Sequence, residues 1–277
     1  MTVYPFILHL GRFEITGYGL MMMVGFLVAS WLVQLELRRR GLREEYASDA
    51  TLAAVIGGII GAKLWYVVLT ADPAALLSRG GLVWYGGFLG GALAVWLNGL
   101  RLKVPTAWTA HLVAPALAGA YALGRIGCFL VNDDYGRPTT LPWGMKFPQG
   151  MPPSTVANLR DQFHVALPAD LDPSTVLAVH PTQIYEAILM LAAFAVLWSL
   201  RGRDKGTGWL FGLYLVLAGT ERFVIEVLRA KDDRFLGPFT IAQLVSVILV
   251  GIGLTVMSRL AVARPVDPGP YLSKGTV

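Results

Sequence analysis

Arg125 stands in ALGRIGCFLVNDDYGRP, Ala122 to Pro138, six residues before the last apolar residue of its run, Val131. At ~1.5 Å per helical residue the guanidinium lies about 9 Å inside an apolar segment, a depth at which an arginine needs an anionic partner. A second group is RFVIEVLR, where Arg222, Glu226 and Arg229 fall at i, i+4 and i+7 on a single helical face. A third is HPTQIYE, which gathers His180, Gln183, Tyr185 and Glu186 at the start of another apolar run, and Tyr18, Lys63, Tyr66, Trp84 and Tyr85 sit near the ends of three more. The guanidinium fork matches phosphate by paired N–H···O bonds, so the chemistry these residues suit is binding a phosphate ester and stabilising charge that grows on it. Each has a blander reading: Arg222 with Glu226 as a structural ion pair, Arg229 and Lys63 reaching for the interface, and Tyr18, Trp84 and Tyr85 as interfacial aromatics. Cys128 then reads as a small packing residue and His111 as a buried polar contact. Their shared depth favours the functional reading.

The elements that must position these residues are membrane helices. The 277 residues are 55% hydrophobic and 15% charged, with a mean hydropathy of +0.57, outside the balance of a soluble domain. Apolar runs of membrane-crossing length fall at about 16–37, 49–71, 82–100, 107–131, 181–200, 207–228 and 240–260. They predict an all-α polytopic membrane protein, a single transmembrane domain of seven helices over 1–277. The one long connection, 132–179, is rich in proline and polar residues and predicts a small extramembrane head between spans four and five. Gly57 with Gly61, Gly86 with Gly90, and Gly87 with Gly91 keep the spacing of close helix packing. A single cysteine excludes an internal disulfide, and MTVYPFILHLGRFEITG lacks the marks of a cleaved signal, so it is expected to stay in the mature chain. The net charge of +5 does not call for nucleic acid: with the N-terminus outside, twelve lysines and arginines fall inside and seven outside, which predicts N-outside, C-inside.

Alternating spans then put every candidate above in the outer half of the membrane; the inner halves hold chiefly His111 and Gln34. Helices that aim polar groups at one leaflet predict a water-accessible cavity opening outward. Within the spans, Lys63, Arg125, Arg222 and Arg229 face Glu186 and Glu226, an excess of two positive charges that an anionic ligand would balance.

The motifs carry a resemblance. YGLMMMVGF, GGIIGAKLWYV, YGGFLGG, GRIGCFLVNDDYGRPTTLPWGMKFP, HPTQIYEAI and ERFVIEVLR resemble the prolipoprotein diacylglyceryl transferases across nearly the whole chain. The resemblance implies a bacterial inner-membrane enzyme whose site faces the periplasmic leaflet. It moves the diacylglyceryl group of phosphatidylglycerol to the lipobox cysteine thiol of a prolipoprotein signal peptide, leaving a thioether and glycerol phosphate, with no metal or cofactor. The competing reading is a lipid-binding or transport protein that kept the cavity without the chemistry.

Residues and resemblance together assign catalytic roles to Arg125, Arg222, Glu226 and Tyr85. They assign the phosphatidylglycerol site to Arg125, Tyr18, Lys63, Gly86, Gly87, Asp133, Gly136, His180, Gln183, Tyr185, Glu186 and Arg229. Arg125 and Arg222 are expected to clamp the phosphate, Glu226 to orient Arg222, and Arg229 to act nearer the surface. Two departures stand out: Cys128 replaces an asparagine, and Tyr85 replaces the histidine of a His-Gly-Gly triplet, so a histidine base does not carry over. The thiol's base is open among His180, Asp133, Asp134 and a pair involving Tyr85.

Overall fold

The structure, a computed structural model, describes residues 1–11, 13–77, 83–203, 205–230, 234–236, 239–262 and 266–273. Arg12, Arg79, Lys231, Arg264 and Lys274, which entered the charge count, and Leu82, the expected start of the third span, lie outside them. A hairpin of β1 (Ile7–Leu10) and β2 (Phe13–Thr16), turning at Gly11, leads into α1 (Gly17–Arg39). Then follow α2 (Tyr46–Thr70), a 3₁₀ turn (Pro73–Leu77), α3 (Trp84–Arg101), α4 (Thr106–Leu130), the short α5 (Val156–Asp161), α6 (Thr182–Leu200) and α7 (Trp209–Leu228). A second hairpin, β3 (Arg234–Leu236) with β4 (Phe239–Thr240), precedes α8 (Ile241–Leu260).

Local chemistry sets the helix ends. The Thr16 side chain accepts from the Gly19 amide at 3.1 Å, and Thr240 and Gln243 form a reciprocal capping box at the start of α8. Five helices, α1, α2, α4, α6 and α8, are long and apolar enough to cross a membrane, while α7 carries Glu221, Arg222 and Glu226 in its second half. On α2, Ile56, Ile59, Ile60, Leu64 and Val68 are each at least half exposed, and on α8 so are Val247, Ile248 and Leu254. An apolar surface of that extent belongs in lipid, so the chain is a multi-pass membrane protein.

α4 is the central helix, lying against α1, α6 and α7 with Ala114, Ala118 and Ala122 fully buried. α2 and α3 form a tight pair: a Cβ on Gly61 or Gly86 would strike the carbonyl of the other, so the glycine spacing is used for backbone contact. Segment 132–179 packs a small core of Tyr135, Phe147, Leu159 and Val179, and the Lys146 carbonyl accepts the Val3 amide of the N-terminal segment ahead of β1 at 2.9 Å. At the opposite end, the tail folds back: Leu272 is fully buried, its carbonyl takes the Arg43 amide at 2.9 Å, and Trp108 donates to the Val266 carbonyl at 2.8 Å. There Glu36 is buried among Arg39, Arg40 and Arg201, and Arg40 reaches His111 at 2.9 Å, the polar contact expected of that histidine.

Candidate active site

The sequence groups α4, α6 and α7 bring together meet at one joint. α4 delivers Arg125 in its last turns, the loop after it delivers Asp133 and Asp134, α6 delivers Glu186, and α7 delivers Arg222, Glu226 and, at its end, Arg229. Arg125 binds Asp134 Oδ2 through Nη1 at 2.7 Å and pairs with Glu186 through Nε. Arg229 pairs with Asp134 Oδ1, lies 3.7 Å from Glu186 and 3.9 Å from Glu226. Arg222 Nη2 holds Glu226 Oε2 at 2.7 Å, the i, i+4 contact expected, while its Nη1 is buried with no hydrogen-bond partner among the described residues.

Further polar groups fix this cluster. The Tyr121 hydroxyl donates to Glu186 at 3.0 Å and receives Nε and Nη2 of Arg125 at 3.3 Å; Arg125 Nη1 also lies 3.8 Å from the Cys128 sulfur. The first turn of α6 grips the loop by its backbone, Thr182 donating to the Asp134 carbonyl at 2.7 Å and Gln183 to that of Asp133. Gly136 permits the joint to close: a Cβ there would lie 2.5 Å from the Leu228 carbonyl, 2.7 Å from Thr182 and 2.8 Å from His180. Tyr18 packs on Gly127, two residues along α4 from Arg125.

The loop carboxyls have opposite characters. Burial raises the Asp134 carboxyl, but the charges of Arg229 and Arg125 outweigh that and hold it at about 2. Asp133 is pushed up, by burial and then by the Asp134 charge, and forms no ion pair among the described residues. His180, lowered by burial, sits 3.4 Å from the Tyr185 hydroxyl, which accepts the Trp143 indole N–H at 2.7 Å.

One expectation changes here. The joint does not leave two cations unpaired, because Asp134 bridges Arg125 and Arg229 and makes three carboxylates, with Glu186 and Glu226, against three arginines, and Glu221, on α7, adds a further buried carboxyl. A tally confined to Glu186 and Glu226 missed both. Arg229, at the end of α7, is as well buried as Arg125, its side chain 10% exposed against 13%.

Other site residues stand on the α2–α3 pair, apart from the ion cluster. Tyr85 is 61% exposed, edge-on to Trp84, with no hydrogen bond to the cluster among the described residues. Lys63 lies 5.6 Å over the Tyr66 ring. Gly86 is packed on Gly61 and Trp65, and Gly87 faces the Gly58 carbonyl and Ala62, both as helix contacts. Sequence reasoning missed Tyr121 and Glu221; Glu221 sits in the quoted ERFVIEVLR and needed only to be counted.

A family model described as prolipoprotein diacylglyceryl transferase matches residues 5–259. The chain belongs to the prolipoprotein diacylglyceryl transferase family. Its relatives include proteins named phosphatidylglycerol–prolipoprotein diacylglyceryl transferase. That of Clostridium tetani is 32% identical, over 92% of this chain and 96% of the relative. Those of Nitratidesulfovibrio vulgaris and Geobacter sulfurreducens are 30% and 31% identical, over 92% and 95% of this chain and 93% and 97% of theirs. In this member of the family the joint of α4, α6 and α7 is built from the most recognisable motifs.

Proposed function

We propose that the protein transfers the diacylglyceryl group of phosphatidylglycerol to the lipobox cysteine thiol of prolipoproteins, from a site facing the outer leaflet of the bacterial inner membrane. All seven long helices span, with the N-terminus and the 132–179 head outside and the C-terminus inside. The observation that carries the reading is the convergence of Arg125, Arg222 and Arg229 at one buried joint, with Arg222 keeping an unused N–H edge.

The reaction is a displacement at carbon. The acceptor sulfur forms a bond to the glyceryl carbon as the bond from that carbon to the phosphate oxygen breaks, and the phosphate goes from about −1 to about −2 as it leaves. Guanidiniums already desolvated and aimed at its oxygens favour the transition state over bound lipid. No covalent intermediate on the enzyme is needed. Glu226 orients Arg222, Glu186 and Tyr121 orient Arg125, and Cys128 stands beside the same guanidinium. Asp133 is the loop carboxyl we assign to take the thiol proton, since both oxygens of Asp134 are held by Arg125 and Arg229 whereas Asp133 forms no ion pair among the described residues.

Incubating the purified protein with phosphatidylglycerol and a lipobox peptide, then weighing the peptide, tests this. A gain of one diacylglyceryl unit is expected; an unchanged peptide beside bound lipid would establish the lipid-binding reading instead.

A further inference from the structure

Asp134 occupies the place a phosphate has to take. Its two oxygens reach two different guanidiniums, Oδ2 to Arg125 and Oδ1 to Arg229, the bridging contact a lipid phosphate would make with two of its own oxygens. We infer that Asp134 is a resident counter-anion: the incoming phosphate displaces its side chain from Arg125 and Arg229, and it retakes them to release glycerol phosphate. The inference rests on the proposed transferase reading for the identity of the anion, and it makes Asp134 a positioning residue that sets affinity and product release.

The surroundings distinguish Asp134 from the other carboxylates on these arginines. Glu186 is fully buried and Glu226 is 1% exposed, so each is a permanent partner. Asp134 is 32% exposed and sits at the mouth, so its charge leaves the arginines without crossing apolar interior. The loop is held by its backbone, through Thr182 to the Asp134 carbonyl and Gln183 to the Asp133 carbonyl. The Asp134 side chain is therefore free to swing while the chain beneath stays fixed. Exchange of one monoanion for another also keeps the charge of the joint unchanged as lipid enters.

An internal competitor weakens every external anion by the same factor, the inverse of the fraction of molecules whose arginines are open. Without it, the dianionic product would be held by three arginines and would leave slowly. Removing the carboxylate must therefore tighten substrate and product in parallel, whereas loss of a merely structural support would loosen both.

Calorimetry of the detergent-solubilised full chain with glycerol 1-phosphate, and with inorganic phosphate as the headgroup-free probe, reads this directly. Asp134→Asn removes the charge at constant shape. Asp134→Gly removes the side chain at a position whose φ of +62° suits glycine, so it supplies a variant that folds even if the amide does not. Both are expected to bind glycerol 1-phosphate about tenfold more tightly, with KM for the lipid lowered by a similar factor. In the unmodified protein, saturating glycerol 1-phosphate should shift the carboxyl carbon resonance of Asp134. Unchanged or weaker binding in folded variants, or an unmoved resonance, overturns the inference. Tighter binding in a protein that never modifies the peptide leaves the counter-anion in place and removes the transferase reading; normal turnover with unaltered binding does the reverse.

Discussion

Arg125 is more heavily engaged than its isolation in an apolar run suggests: a carboxylate on each side, a phenol beneath and a thiol beside it. Two carboxylates hold the guanidinium in one orientation before lipid arrives, and that preorganisation lets it favour the leaving phosphate. Arg125→Ala should cut turnover about 10²- to 10³-fold in the peptide mass assay while the protein stays folded. Arg125→Lys should recover little, since an ammonium lacks the two-pronged contact; near-normal lysine activity would show that charge alone is required. Tyr85 makes the opposite case. It is exposed and makes no hydrogen bond to the cluster, so Tyr85→Phe should lose about tenfold at most, the worth of one neutral hydrogen bond, with the pH optimum unmoved. A shift of a unit would place the phenol in proton transfer. Arg125, Glu186, Arg222 and Glu226 were legible because a charge in an apolar run stands out singly. The partnering of Asp134 was not, because a loop carboxylate nine residues along acquires its meaning only when α6 and α7 bring Glu186 and Arg229 beside it.

At the scale of elements, α7 imposes the spacing that makes Arg222, Glu226 and Arg229 one working face. If Glu226 acts only by holding Arg222, the double alanine variant should be hardly worse than Arg222→Ala alone, and additive losses would give Glu226 a role of its own. Gly136 joins three elements, so Gly136→Ala should cost about 1–3 kcal/mol of stability by overpacking and lower activity through the displaced loop. A melting curve and the mass assay read the two effects separately. The seven long helices were legible to within a few residues because a continuous apolar run has few other uses. The two hairpins and the short α5 were not, since their strands run to four residues or fewer and their pairing depends on neighbours that periodicity does not register.

The whole molecule carries an ion cluster toward each end: Arg125, Arg222 and Arg229 with their carboxylates at one, and Glu36 with Arg39, Arg40 and Arg201 at the other, where the C-terminal tail folds back over α1 and α2. Sequence alone points to the difference between them. The Glu36 end carries the excess of lysine and arginine that the proposed N-outside topology would place on the inner side, and the 132–179 head follows the end of α4 that carries Arg125. The orientation of the protein and the side on which lipid is consumed are thus one question. In a Cys128→Ser background, a cysteine placed at Arg160 in the head should react with an impermeant thiol reagent added from the periplasm. One placed at Arg203, beyond α6, should react only once the cytoplasmic face is opened. Reversed labelling would put the three arginines in the inner leaflet, where no signal peptide presents a thiol after translocation, and the proposed reaction would fail with it.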